Sequence, residues 1–192
     1  LLSRRQRQMC IETDYIPGSE WIDFFNPDAA AFYWQNFSKG LLQPYGIDAW
    51  WQDATEPEND DLYNRRINNG KVPGEVYRNV YPIYVNKTVY EGLRKDAPHK
   101  RAMILTRSGF SGMQRYAAAT WSGDVGNDWE TLRRQIAGGL NQMASGLPWW
   151  TYDAGGFFRP GDQYTDKVYQ ERFLRWLSLI HISEPTDPKT SR

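Results

Sequence analysis

The 192-residue chain has one cysteine, Cys10, and two histidines, His99 and His181. A single cysteine cannot close an internal disulfide, so burial must hold the fold. Basic and acidic side chains number 23 each. That balance leaves no surplus cation to neutralise phosphates and argues against a nucleic-acid partner. No run of about 18 apolar residues is present, so no membrane-spanning helix is expected. Triads built on histidine or cysteine also lack their parts, because His99 lies in a polar stretch, Asp96-Ala-Pro-His-Lys, beside no candidate nucleophile.

What the chain does have is apolar and aromatic bulk: 40% hydrophobic residues, with 9 Trp and 12 Tyr. This is enough for one domain with a core, and more aromatic surface than such a core consumes. The surplus suits flat, partly apolar ligands such as sugar rings. Both ends differ in character from the middle. Residues 1–11 put three arginines and two glutamines in a row without apolar period, and residues 178–192 add two prolines to a polar stretch. Both resemble peptides translated from sequencing-adapter DNA, and they are set apart as extensions of a domain at 12–177. Compartment and oligomeric state are not encoded in any recognisable signal.

Between them, strands alternate with helices. Asn26-Pro27-Asp28 starts a helix carrying Phe32, Phe37 and Leu41 on one side, with Gly40 as its stop. Ile47 to Trp51 is an apolar run that breaks at Gln52-Asp53, as a buried parallel strand does on leaving the core. A polar loop is expected from Asp61 to Glu75, then a helix from Asn79 to Arg94, and a second strand from Arg101 to Thr106 ending at Arg107. Asp128 opens a helix through Leu132, Ile136, Leu140 and Met143, which Gly146 stops. A third strand, Pro148 to Asp153, and a helix from about Asp166 to Leu177 follow. Three strands roughly 50 residues apart with helices between them argue a parallel α/β fold. The sequons Asn36-Phe-Ser and Asn86-Lys-Thr fall in predicted helices and are read as chance.

A charged residue stands at each strand's C-terminal tip: Asp53, Arg107 and Asp153, with Asp124 in the loop Trp121-Ser-Gly-Asp. In a (β/α)8 barrel, side chains at that rim converge on the axis. Asp28, Asp61, Asp128 and Asp162 read instead as ordinary capping or loop acids. A metal site could be assembled from Asp53 and Glu56 with Glu58 or Asp60, but no ligand spacing supports one, and no cofactor is called for. Hydrolysis of a glycosidic bond needs only two carboxyl groups and aromatic walls, and these the sequence supplies.

Three blocks in order carry a resemblance to a known family. Trp51-Gln-Asp53-Ala-Thr-Glu56-Pro57 resembles the W-x-D-x-x-E-P signature of glycoside hydrolase family 31. Arg107-Ser-Gly-Phe-Ser-Gly-Met-Gln-Arg115, followed by Trp121-Ser-Gly-Asp124, is similar to its R-S-x-F-x-G-x-x-R block and its W-x-G-D loop. Trp149-Trp-Thr-Tyr-Asp153-Ala-Gly-Gly-Phe157 resembles its next strand. The resemblance implies an incomplete (β/α)8 barrel, its central strands and helices only, with a retaining mechanism. It makes Asp53 the nucleophile and Asp124 the acid/base. Arg107 would bind sugar hydroxyls and keep the nucleophile ionised. Trp51, Trp121 and Phe157 would wall the sugar, Trp21 less directly, and Asp153 would bond to the ring. Glu56 would support the nucleophile loop or simply start a helix. Ala54-Thr55 stands where the family commonly has Met-Asn, a version more like bacterial α-xylosidases of xyloglucan oligosaccharides than starch-type α-glucosidases.

Three readings stay open at this point. They are an α-glycosidase fragment, a non-catalytic carbohydrate-binding relative, and a structural α/β domain whose aromatics are only core. The last would bury most of Trp21, Trp51, Trp121 and Phe157.

Overall fold

A computed structural model describes residues 10–12, 20–57 and 62–182. They form two compact units, one reaching Thr120 and one starting at Trp121.

In the first unit, strand β1 (Cys10–Glu12) pairs antiparallel with β2 (Glu20–Ile22). Helix α1 (Pro27–Phe37) is capped by Asn26 rather than by the acid expected there. The Asn26 side chain accepts the Asp28 N–H at 3.0 Å, and Pro27 occupies the first turn, where its missing N–H costs nothing. Gly40 does not end the helix. The chain widens into a π turn, Ser38–Leu42, continues through Gln43–Tyr45, and stops at Gly46, whose φ is +64°. Gly40 lies in right-handed backbone, where glycine only weakens a helix; termination needed the left-handed residue. The buried side is correspondingly not the one expected: Trp34 and Ala29 are buried, while Phe32 and Leu41 are exposed.

Strand β3 is Trp50–Gln52. The stretch expected as a long loop contains a tight hairpin, β4 (Arg66–Ile67) against β5 (Val72–Pro73). Asn68, Asn69 and Gly70 turn it with φ of +54°, +56° and +76°, a conformation these residue types tolerate best. Its hydrophobic residues, Leu62 and Ile67, are fully buried beside Phe24, Tyr81 and Val85. Leu62, Ile67 and Val72 stand five residues apart among polar ones, a spacing that matches neither the strand nor the helix period.

Helix α2 (Tyr81–Asp96) covers the sheet. Trp34 lies flat on it at Gly92, where an added Cβ would fall 2.1 Å from the indole. The indole Nε1 donates to Asp96 at 2.8 Å, and Ser38 Oγ donates to the same carboxylate oxygen at 2.7 Å. Strand β6 (Ile104–Thr106) runs parallel to β3, and β7 (Ala118–Trp121) runs parallel to β6, with Trp51, Leu105 and Ala119 in one register row. β7 was not foreseen: it follows a 3-10 turn, Met113–Tyr116, instead of a crossover helix, and its Ala-Ala-Thr-Trp has no strand pattern of its own.

Alternation sorts β3 into two faces. Trp50 packs its ring against Trp34 and Phe37, and Gln52 Nε2 donates to the wholly buried Asn86 at 3.1 Å, so both face the helices. Trp51 therefore lies on the opposite face.

The second unit holds α3 (Trp129–Ala144), β8 (Trp150–Thr151) and α4 (Lys167–Ile182). Asp128 caps α3, accepting the Thr131 N–H at 2.8 Å, and Gly146 with φ +83° follows its end, both as expected. Of the four apolar residues that marked the helix only Leu132 is buried; Ile136, Leu140 and Met143 are exposed. The helix instead presents Gly139 to Trp150, so closely that a Cβ there would fall 2.3 Å from the indole. Leu132, Tyr152 and Trp176 form the core, closed by the Tyr152 hydroxyl donating to the Trp176 carbonyl at 2.7 Å. α4 continues past Leu177 because Leu179 packs onto that cluster.

The α3 entrance gives a pH prediction. Hydrogen bonds from Arg133, then Arg134, pull the Glu130 carboxyl down from its ordinary 4.5 to about 2. A lowered carboxylate stabilises the fold above its unfolded value and loses that contribution as pH falls toward the folded one. The side-chain carboxyl resonance of Glu130 should thus titrate near pH 2. The first turn of α3 should loosen as pH falls from 4.5 toward 2, and Glu130→Gln should weaken that dependence without removing it, because the bonds from Thr131 also lower the carboxyl of the Asp128 cap.

Candidate active site

The first unit gathers charge where β3 and β6 end. Asp53 follows β3 on the face of Trp51, and Arg107 follows β6 on the face of Leu105, its register partner. The Arg107 guanidinium bridges two carboxylates, with Nη1 3.3 Å from Asp53 Oδ1 and Nε donating to Glu56 Oε1 at 2.5 Å. Arg107 is the most enclosed of the three, its side chain 13% exposed against 45% for Asp53. A fixed planar fork between two acids holds both in place, as a lysine's point charge would not. Asp53 Oδ1 also accepts the N–H of Ala54 at 2.9 Å, across a left-handed residue with φ +47°.

Glu56 pairs with Arg107, and the residues after Pro57 up to Asp61 lie outside the described ones. Glu56 also borders a hollow of about 430 Å³ lined by Arg78, Asn79, Ser108 and Phe110, a lining that does not include Asp53. Next to the ion pairs lie three hydroxyls that sequence reading missed. Thr55 Oγ1 is 2.8 Å from Thr106 Oγ1 and 2.7 Å from Ser108 Oγ. The one available signal was that hydroxyl residues flank Arg107 on both sides.

The second unit brings the other predicted loops together. The Phe157 N–H donates to the Val125 carbonyl at 2.9 Å, and Asn127 Nδ2 to the Phe158 carbonyl at 2.6 Å. These bonds seat the segment after Asp124 against the segment after Asp153. Gly156, with φ +78°, permits the approach: a Cβ there would fall 2.5 Å from the Gly126 carbonyl. Asp124 is exposed and Asp153 half-buried. Of the four aromatics offered as walls, Trp51 (65%) and Phe157 (52%) are exposed and Trp121 (7%) is buried. Trp21 is half-buried, edge-on to Tyr81 at 5.6 Å and packed on the core cluster. The purely structural reading required most of them buried. Among the described residues no cluster of three His, Cys, Asp or Glu is arranged to hold a metal ion; Glu58 and Asp60 lie outside the described residues.

Paired carboxylates bridged by an arginine at the ends of parallel strands, beside an exposed indole, agree with a family-level match. The model of the glycosyl hydrolases family 31 TIM-barrel domain matches residues 1–181. The chain belongs to glycoside hydrolase family 31. It is 44% identical over 168 residues to an α-xylosidase of Saccharolobus solfataricus, covering 84% of this chain and 22% of that protein. It is 31% identical over 181 residues to α-glucosidase 2 of Bacillus thermoamyloliquefaciens, covering 86% of this chain and 22% of that protein. A solved family 31 α-xylosidase from a soil metagenome, complexed with xylose, superposes with a TM-score of 0.77 at 30% identity, covering 90% of this chain and 26% of that one. The chain thus spans about a quarter or less of these relatives' length. Its α/β elements are an incomplete (β/α)8 barrel of family 31 type.

Proposed function

We propose that this chain carries the catalytic centre of a retaining α-glycosidase acting on terminal non-reducing α-linked sugars, with α-xylosides of xyloglucan-type oligosaccharides as substrates. The observation that carries the reading is the Asp53–Arg107–Glu56 cluster at the ends of parallel strands in a family 31 chain. An ionised carboxylate held by a guanidinium suits a nucleophile that must stay charged.

In the first step the Asp53 carboxylate forms a bond to the anomeric carbon as the glycosidic C–O bond breaks, and Asp124 gives its proton to the departing oxygen. In the second, Asp124 takes a proton from water, whose oxygen displaces Asp53 from the anomeric carbon. The mechanism requires the two carboxyl groups roughly 5–5.5 Å apart. Trp51 and Phe157 wall the sugar, and Arg107 and Asp153 bond to its hydroxyls. No cofactor enters these steps.

The likeness to α-glucosidase 2 favours a second reading, an α-glucosidase of the same family. Glucosides differ from xylosides by one hydroxymethyl group, and a group of that size in a fitted pocket is worth about 10–200-fold. Paired p-nitrophenyl α-xyloside and α-glucoside, assayed on the full natural chain, should therefore give kcat/KM at least about tenfold higher for the xyloside. The reverse order would make it an α-glucosidase. Hydrolysis of neither, by a folded protein that still binds xyloglucan oligosaccharides, would leave only a carbohydrate-binding role.

A further inference from the structure

Two loops at the candidate site grip each other reciprocally. Arg107 of the second loop reaches across to Asp53 and Glu56, and Thr55, between those two acids in sequence, reaches back to Thr106 and Ser108, the neighbours of Arg107. Thr55 is 7% and Thr106 0% exposed, so the hydroxyls meet away from solvent, where a hydrogen bond lost is not replaced by water. Each hydroxyl can donate once and accept twice, so Thr55 serves both neighbours at once.

The grip bears on Asp53 through Ala54. Alanine at φ +47° is strained, because in left-handed backbone its Cβ crowds the following carbonyl oxygen. Such strain persists only where the surroundings impose it. On one side of Ala54 is the carboxylate that accepts its N–H; on the other is Thr55, bonded into the second strand's loop.

We propose that Thr55 is a positioning residue: its hydroxyl, held between Thr106 and Ser108, fixes the turn at Ala54 and so aims the Asp53 carboxylate. This rests on Asp53 as nucleophile, and it gives the Ala-Thr version of the loop a mechanical role.

The test is kinetic, on the full natural chain with an aryl α-glycoside. Thr55→Val keeps the side-chain shape and removes the hydroxyl. It should lower kcat about 10- to 100-fold, the scale of an ångström of misalignment, with KM changed by no more than about twofold. Thr55→Ser, which restores the hydroxyl, should recover most of the rate. Ser108→Ala, at a half-buried position outside the core, removes one of the two bonds and should cost kcat about three- to tenfold. That variant decides the matter should the valine protein fail to fold. Wild-type kcat in folded Thr55→Val, or a serine variant as slow as the valine one, would overturn the proposal. So would a fall in Thr55→Val confined to KM, or wild-type kcat in Ser108→Ala. Asp53→Asn, run alongside, separates the two claims: an active asparagine variant removes the nucleophile reading, whereas an inert one beside normal Thr55→Val removes only the role of Thr55.

Discussion

Asp53→Asn should abolish turnover of every α-glycoside the protein cleaves, while Asp124→Ala should spare substrates with good leaving groups. The amide is close in size to the carboxylate but cannot attack the anomeric carbon. The loss should be on the order of 10⁴-fold or more and the same for activated and unactivated substrates. Removing the acid/base costs about 10²–10⁴-fold where the departing oxygen needs a proton and little in the first step where it does not. Azide, a nucleophile that needs no base, should then restore turnover of p-nitrophenyl glycosides by Asp124→Ala and yield a glycosyl azide. Equal loss on both substrate classes in Asp124→Ala, or azide rescue of the Asp53 variant alone, would reverse or erase the assignment of the two acids.

The largest effect on stability is expected at Trp34. Its indole fills the space over Gly92, touches the Trp50 ring, and donates to Asp96. Trp34→Ala deletes that packing and leaves the Asp96 carboxylate one donor short, so the loss should be about 3–5 kcal/mol. Gly92→Ala approaches the same contact from the other side. The new methyl group has no room beneath the ring, and overpacking of this kind costs about 1–3 kcal/mol. Denaturant unfolding of the two single variants and the double variant measures both. Because the alanine at 92 would fill space the tryptophan has vacated, the double variant should be less destabilised than the sum. Simple additivity would mean that the two groups do not press on each other in solution.

The sequence made some of this legible and hid the rest for identifiable reasons. β3 and β6 were visible as apolar runs ending in charge, although in β3 only the face of Trp50 and Gln52 is buried while Trp51 is exposed. β7 was invisible because alanines become a strand only by pairing with β6. The buried side of α1 was misread because its π turn and Trp34's seat on Gly92 are set by contacts with α2, more than fifty residues away. At the site, residue types and order pointed to Asp53, Arg107, Asp124 and Asp153. Arg107 was expected beside Asp53, but that the same guanidinium also binds Glu56, 51 positions away in the chain, could not be read, and neither could the hydroxyls around Arg107. Trp121 and Trp21 show the converse: a motif names a residue without saying whether its ring faces a ligand or the core.

The bond between Gln52 and Asn86 has a practical consequence. Asn86 is wholly enclosed, its amide oxygen accepting from the residue just before Asp53, and it also heads an Asn-Lys-Thr acceptor triplet. In a eukaryotic secretory host the triplet passes the glycosylation machinery before the helix has docked, and a glycan added then could never be packed inside. A bacterial cytoplasm, or Thr88→Ala in a yeast, keeps that position free to reach its place beneath the sheet.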